Sequence, residues 1–192
     1  PHFIRFNKQA DKINIVAHFV EYKTFLAEQK QPDLKLGITP IGVSGIIVLK
    51  EATNQYVFFA RRAPHVTEYP GFLELVPSGS LDEGCVDASG IVYYQSQLLR
   101  EFVEETGLPQ EYVKDISGFA LVLDTNHHVY DICCEISLEA KKEFILKEFS
   151  SDEYNDPAFV AMNDLDHFIK SNCDSIVPTS LALIEAYLQI AL

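Results

Sequence analysis

The chain has 192 residues, 47% of them hydrophobic, with mean hydropathy +0.03; this suits one globular domain and excludes a disordered composition. A formal net charge of −13 repels polyphosphate chains, so nucleic acid is not an expected partner. No apolar run nears the roughly 18 residues that span a bilayer, and no charged-then-apolar leader opens the sequence, so no membrane association and a cytoplasmic location are expected.

In chain order, about residues 1–36 read as an N-terminal extension packed on the domain, helical in its later half from His18, with "QPDLKLGITP" as a connector. "IGVSGIIVLK" and "QYVFFARR" are strand-like runs that "EATN" joins into a hairpin. "APHVTEYPG" is a loop, "FLELVPSG" a short strand ending at Pro77, and "SLDEGCVDASG" an acidic loop. A helix is expected from about Val92 to Thr106, stopped by Gly107. "GFALVLDTNHHVYDICCEISL" reads as two strands around a turn that holds His127 and His128. "EAKKEFILKEF" is expected to be helical, "SSDEYNDP" a loop, "AFVAM" a strand, and "NDLDHFIKSN" a helix capped by Asn163. "PTSLALIEAYLQIAL" is an amphipathic helix with Pro178 before its start, expected to join the core. Hairpins mixed with helices predict an α+β fold, an α/β/α sandwich on a mixed sheet, over the whole of residues 1–192. The four cysteines lack zinc-ligand spacing, and the adjacent Cys133 and Cys134 are expected on opposite faces of a strand.

Within "QLLREFVEETGL", helical spacing puts Leu98, Leu99, Phe102 and Val103 on one face and Glu101, Glu104 and Glu105 on the other. Like charges at these intervals cost a few tenths of a kcal/mol per pair, and acids late in a helix oppose its dipole. A hard divalent cation would reverse that sign. Helix geometry alone leaves a solvated acidic face and a metal site equally open.

"REFVEETGL", Arg100 to Leu108, resembles the end of the Nudix box, G-x5-E-x7-R-E-U-x-E-E-x-G-U, and "FLELVPSGSLDEG" is similar to the strand and loop that precede it in that family. Two departures stand out. Gly79 and Arg100 are 21 positions apart where the box has fourteen, and the box's first glutamate is absent, with Cys85 or Val92 at its place. Glu83 or Asp87 is a candidate substitute.

The resemblance implies a Nudix fold with a loop–helix–loop catalytic motif, and hydrolysis of a nucleoside diphosphate linked to a second moiety. It implies a Mg2+ or Mn2+ cofactor on Glu101, Glu104, Glu105 and the Gly79 carbonyl, with Arg100 orienting the glutamates. Glu104, Glu105 or an acid on a later loop would act as base, the loop candidate being Glu153 with Asp152 behind it. Arg61, Arg62 and Tyr69 are candidate substrate contacts; the two arginines diverge on a strand, so at most one faces the site. Flanking text resembles a UDP-sugar-directed branch, which implies a nucleotide sugar such as UDP-glucose. The alternatives are ADP-ribose or a dinucleotide, or a nucleotide-binding regulatory module with impaired catalysis. Many such enzymes pair as homodimers, but no patch in the sequence marks a dimer face.

Overall fold

A computed structural model describes residues 2–9, 12–125 and 128–191. The chain begins with a two-stranded antiparallel sheet, β1 (His2–Gln9) and β2 (Lys12–His18), followed by α1 (Tyr22–Lys30). The sequence reading missed this hairpin. Its strands carry exposed apolar residues, Phe6, Ile13 and Val16 among them, and lack a clean inside–outside alternation. Ile15 and Ala17 pack against the main core, and His2 bridges to Pro40.

Among the described residues the main sheet has seven strands. β3 (Ile41–Glu51) and β4 (Asn54–Arg62) form the expected hairpin. β5 (Leu73–Glu74) and β6 (Ser78–Ser80) split the "FLELVPSG" run into two short pieces on different partners, β4 and β3. β7 (Val113–Asp124) and β8 (Val129–Leu138) pair antiparallel, and β8 runs parallel to β3 at the centre. β9 (Tyr154–Ala161) lies against β4 and starts earlier than expected, taking in Tyr154 to Pro157, which the sequence had suggested was loop. His128 sits in the β7–β8 turn with φ 55°; His127 lies outside the described residues.

Alternation along the central strands sorts the core into two layers. Val43, Ile47 and Leu49 of β3, Phe58 and Ala60 of β4, and Cys134 and Ile136 of β8 face α2 (Tyr94–Thr106) and α3 (Lys142–Glu148). Ile46 and Val48 of β3, Val57 and Phe59 of β4, and Cys133 face α4 (Leu165–Asn172) and α5 (Pro178–Ala191). This is the predicted α/β/α sandwich, and Cys133 and Cys134 do part to opposite faces. The last helix joins the core through Leu183, Ile184 and Tyr187, with Pro178 as its first residue rather than just before it. α4 starts after Asp164 with no side-chain cap, so Asn163 is not its cap. None of the described helices is long and apolar enough to cross a membrane.

Candidate functional site

α2 carries the acidic motif, and its burial pattern differs from the simple two-faced reading. Gln97, Leu98, Phe102 and Thr106 are buried, whereas Val103 is 39% exposed and does not belong to the core face. The stripe is rotated toward Glu101 and Glu105, which lie half-buried against β6; Glu104 is exposed. Gly107 ends the helix at φ 67°, as expected, and a Cβ there would press on the Ser150 carbonyl.

β6 brings Gly79 under the helix by pairing it with Val43 of β3. The Ser78 N–H donates to both oxygens of Glu105, at 3.3 and 3.4 Å. A Cβ built on Gly79 would fall onto the Glu101 carboxylate. Two carboxylates one helical turn apart therefore meet consecutive residues of β6, Glu105 accepting from Ser78 and Glu101 packed close against Gly79, where only glycine permits the approach.

The electrostatics are those of an acid cluster short of cations. Burial pushes the Glu105 carboxyl up to about 9, with Glu74, Glu101 and Glu153 adding to the shift and the Ser78 N–H opposing it. Burial and Glu104 raise Glu101, while the Gln97 amide, donating at 2.5 Å, lowers it. Glu153, exposed on the loop before β9, is close enough to be felt by both Glu105 and Arg62. Oxygen donors with excess negative charge suit a hard divalent ion, and the Gly79 backbone, Glu101 and Glu105 fit one. Among the described residues, however, no three acidic, histidine or cysteine side chains are gathered as a ready-made metal cluster.

Arg100 does not orient the glutamates directly. Its guanidinium donates to Asp82 at 2.6 Å and to the Gln97 side-chain oxygen, and Asp82 is held below the usual carboxylate range chiefly by that arginine. Gln97 then passes the constraint to Glu101 through its other end. The partner of Arg100 is thus Asp82, not Glu83 or Asp87. Asp87 instead folds the inserted segment on itself: it accepts from the Ser89 hydroxyl and backbone and from the Ile91 N–H, which holds it down at about 2.

Arg62 turns inward and Arg61 outward, as divergence on a strand requires. Arg61 donates to the Gly71 carbonyl at 2.7 Å and lies 3.6 Å from Asp156. Arg62 pairs with buried Glu74, donates to the Glu68 carbonyl at 2.8 Å, and reaches the Tyr154 hydroxyl at 3.3 Å; Tyr154 also donates to Glu74 at 2.8 Å. Tyr69, at φ 47°, stacks on Phe72 with ring centres 5.5 Å apart. Arg62, Tyr69, Glu74 and the Ser78–Ser80 strand line a cleft of about 550 Å3 that runs to the N-terminal end of α5 and to α1. Glu101 and Glu105 do not line it; they lie behind β6, which the cleft and the acid cluster share through Gly79.

Sequence reasoning missed Glu74, Gln97 and Asp131. Each had a signal: a lone acid inside "FLELV", an amide one turn before Glu101, a lone acid inside "VYDICC".

No protein-family model matches the chain, and no curated protein sequence does. Solved structures do. The NUDIX domain of Shewanella oneidensis NrtR complexed with ADP ribose aligns over 90% of this chain and 100% of its own, with TM-score 0.58 and 16% identity. The chain has the Nudix fold. A bifunctional NMN adenylyltransferase/ADP ribose pyrophosphatase from Francisella tularensis, complexed with AMP and a Mn ion, aligns over 87% of this chain and 46% of its own (TM-score 0.54, 15% identity). A second Shewanella oneidensis NrtR structure gives TM-score 0.52 at 19% identity, over 76% of this chain and 60% of that one. At these identities the likeness is one of fold.

Proposed function

We propose that the chain is a Mg2+- or Mn2+-dependent Nudix pyrophosphohydrolase that cleaves the diphosphate of a nucleoside diphosphate linked to another moiety. The observation that carries this reading is the close approach of Glu101 and Glu105 to the Ser78–Gly79 backbone. Two half-buried carboxylates converge there, and the arginines nearby are committed elsewhere, Arg62 to Glu74 and Arg100 to Asp82. A purely structural helix would gain only the Ser78 N–H bond to Glu105 against the cost of half-burying two like charges. Asp82 as the Arg100 partner speaks against an impaired module, since the lost box glutamate has a replacement.

The Gly79 carbonyl, Glu101 and Glu105 would hold the ion, with Glu104 one turn out at the rim. When bound, such an ion would supply positive charge against the diphosphate oxygens and would acidify a water for attack. The remaining work falls to this chain's own groups. Gln97 fixes which oxygen of Glu101 faces Gly79. Glu153, at the loop edge, is our choice for the group that takes the proton from attacking water. Tyr69 offers an aromatic wall for the base or sugar, and Arg62 offers a guanidinium to phosphate oxygens if Glu74 releases it. Among substrates, the neighbour bound to ADP ribose and the ADP ribose pyrophosphatase favour ADP-ribose as much as the flanking sequence favours UDP-glucose. A soluble cytoplasmic enzyme is the accompanying expectation.

The test is a panel of UDP-glucose, ADP-ribose, NADH and nucleoside triphosphates, each with Mg2+ and with EDTA, followed by release of phosphatase-labile phosphate. Turnover of a diphosphate-linked compound that EDTA abolishes supports the reading; no metal-dependent turnover on any member refutes it.

A further inference from the structure

The cleft has a second acidic point that the proposed hydrolysis leaves unused. Asp131 lies on β8, directly across from Gly42 of β3 in parallel register. Its carboxylate accepts from the Ser44 hydroxyl at 3.2 Å. A Cβ on Gly42 would lie 2.5 Å from Asp131 Oδ1 and 3.2 Å from the Gly79 carbonyl oxygen. The glycine therefore keeps open a small space that the carboxylate enters from one side and the Gly79 carbonyl bounds on the other. Gly42, Ser44 and Asp131 all line the cleft.

The position is unusual for the layer it belongs to. Its neighbours on the same face of β8 and β3, Cys133 and Ile46, are fully buried core. Burial raises the Asp131 carboxyl, so holding an acid there has a cost that packing does not repay. A serine and an acid aimed into a cleft offer acceptors and one adaptable hydroxyl. They repel phosphate and attract hydrogen-bond donors. Of the uncharged donors that a nucleotide derivative carries, the adjacent hydroxyls of a sugar ring come as a pair whatever the base, whereas a base offers a pair only where its edge bears an amino group.

We infer that Asp131 and Ser44 form a subsite for the vicinal diol of a sugar ring. The inference rests on the cleft being the substrate site of the proposed hydrolysis, and it leaves open two sources of the diol: the nucleoside ribose or the second sugar. A site built to hydrogen-bond hydroxyls rejects analogues that lack them, because its own buried polar groups are then left unpaired.

The experiment is calorimetric binding in Mg2+ buffer of ligands that contain no anhydride, so hydrolysis plays no part and failure of the hydrolysis reading is seen separately. One arm compares AMP and UMP with their 2′,3′-dideoxy counterparts. The other compares glucose 1-phosphate with its 2-deoxy form. In the wild type, one arm should lose at least about 10-fold in affinity when hydroxyls are removed; which arm does so names the source. In Asp131→Ala that discrimination should fall to about 2-fold or less, and Ser44→Ala should move it the same way. Asp131→Asn, nearly isosteric, serves if the alanine variant does not fold. No discrimination in either arm, no binding of any ligand, discrimination between bases instead of sugars, or a ratio unchanged in the Asp131 variants would each overturn the inference.

Discussion

Single residues decide most of the chemistry, and the Arg62–Glu74 pair shows how. Both side chains are largely buried, at 16% and 9% exposure. Burying charges is costly, and removing one partner strands the other. Arg62→Met should therefore destabilise the fold by about 3–5 kcal/mol, read as a lower denaturant midpoint, whereas Arg61→Met at the half-exposed outer position should cost under about 1 kcal/mol. Equal losses would mean the inward–outward split is wrong. The divergence of the two arginines was legible in their adjacency on a strand. Glu74 was not, because an acid inside "FLELV" is outvoted by its apolar neighbours; only the chain's return past Arg62 and Tyr154 gives it partners.

At the scale of elements, α2 and β6 form one device. The helix was readable from its apolar spacing and its glycine stop, yet its rotation was not. Periodicity puts Leu99 and Val103 on the same side of Phe102, about 60° and 100° away, and Glu105 only about 20° from Leu98; packing against β6 takes in the Glu101 and Glu105 side and leaves Val103 out. The Arg100 partner was likewise hidden, because counting through an inserted segment gives the wrong position; Asp87 closes that segment locally, and Asp82 is left beside the helix. Gly79→Ala tests the contact. The added methyl would displace the Glu101 carboxylate, so metal-dependent turnover should fall at least about 10-fold with the far-ultraviolet spectrum kept. Wild-type turnover in Gly79→Ala would show that helix and strand do not cooperate. Gly107→Ala, by contrast, should act on stability: a left-handed cap facing the Ser150 carbonyl admits no side chain, at a cost of about 1–3 kcal/mol seen in thermal melting.

For the whole molecule, the two-layer core was legible wherever strands alternate cleanly, as at Cys133 and Cys134. It was not legible in the N-terminal hairpin, whose strands bury little, or at the start of β9, where polar residues pair with Arg61 and Arg62. The layers predict thiol behaviour. Cys133 and Cys134 are buried, and burial pushes both thiols up to about 12, so the reactive thiolate is nearly absent at pH 8. Cys173 is exposed. Iodoacetamide at pH 8 should label Cys173 in the native protein and reach Cys133 and Cys134 only after unfolding, as mass spectrometry of the peptides would show. Native labelling of the central pair would contradict the packing.

The central claim is that Glu101, Glu105 and the Gly79 backbone form a metal site for diphosphate hydrolysis. The most direct measurement is the hydrolysis rate of ADP-ribose and UDP-glucose by the wild type and by Glu105→Gln, each with Mg2+ and with EDTA. The Gln side chain still accepts from the Ser78 N–H and relieves like-charge repulsion, so the fold should persist. The account predicts Mg2+-dependent wild-type turnover and a loss of at least about 100-fold in the variant. Turnover that survives EDTA, or a Glu105→Gln rate equal to wild type, would contradict it.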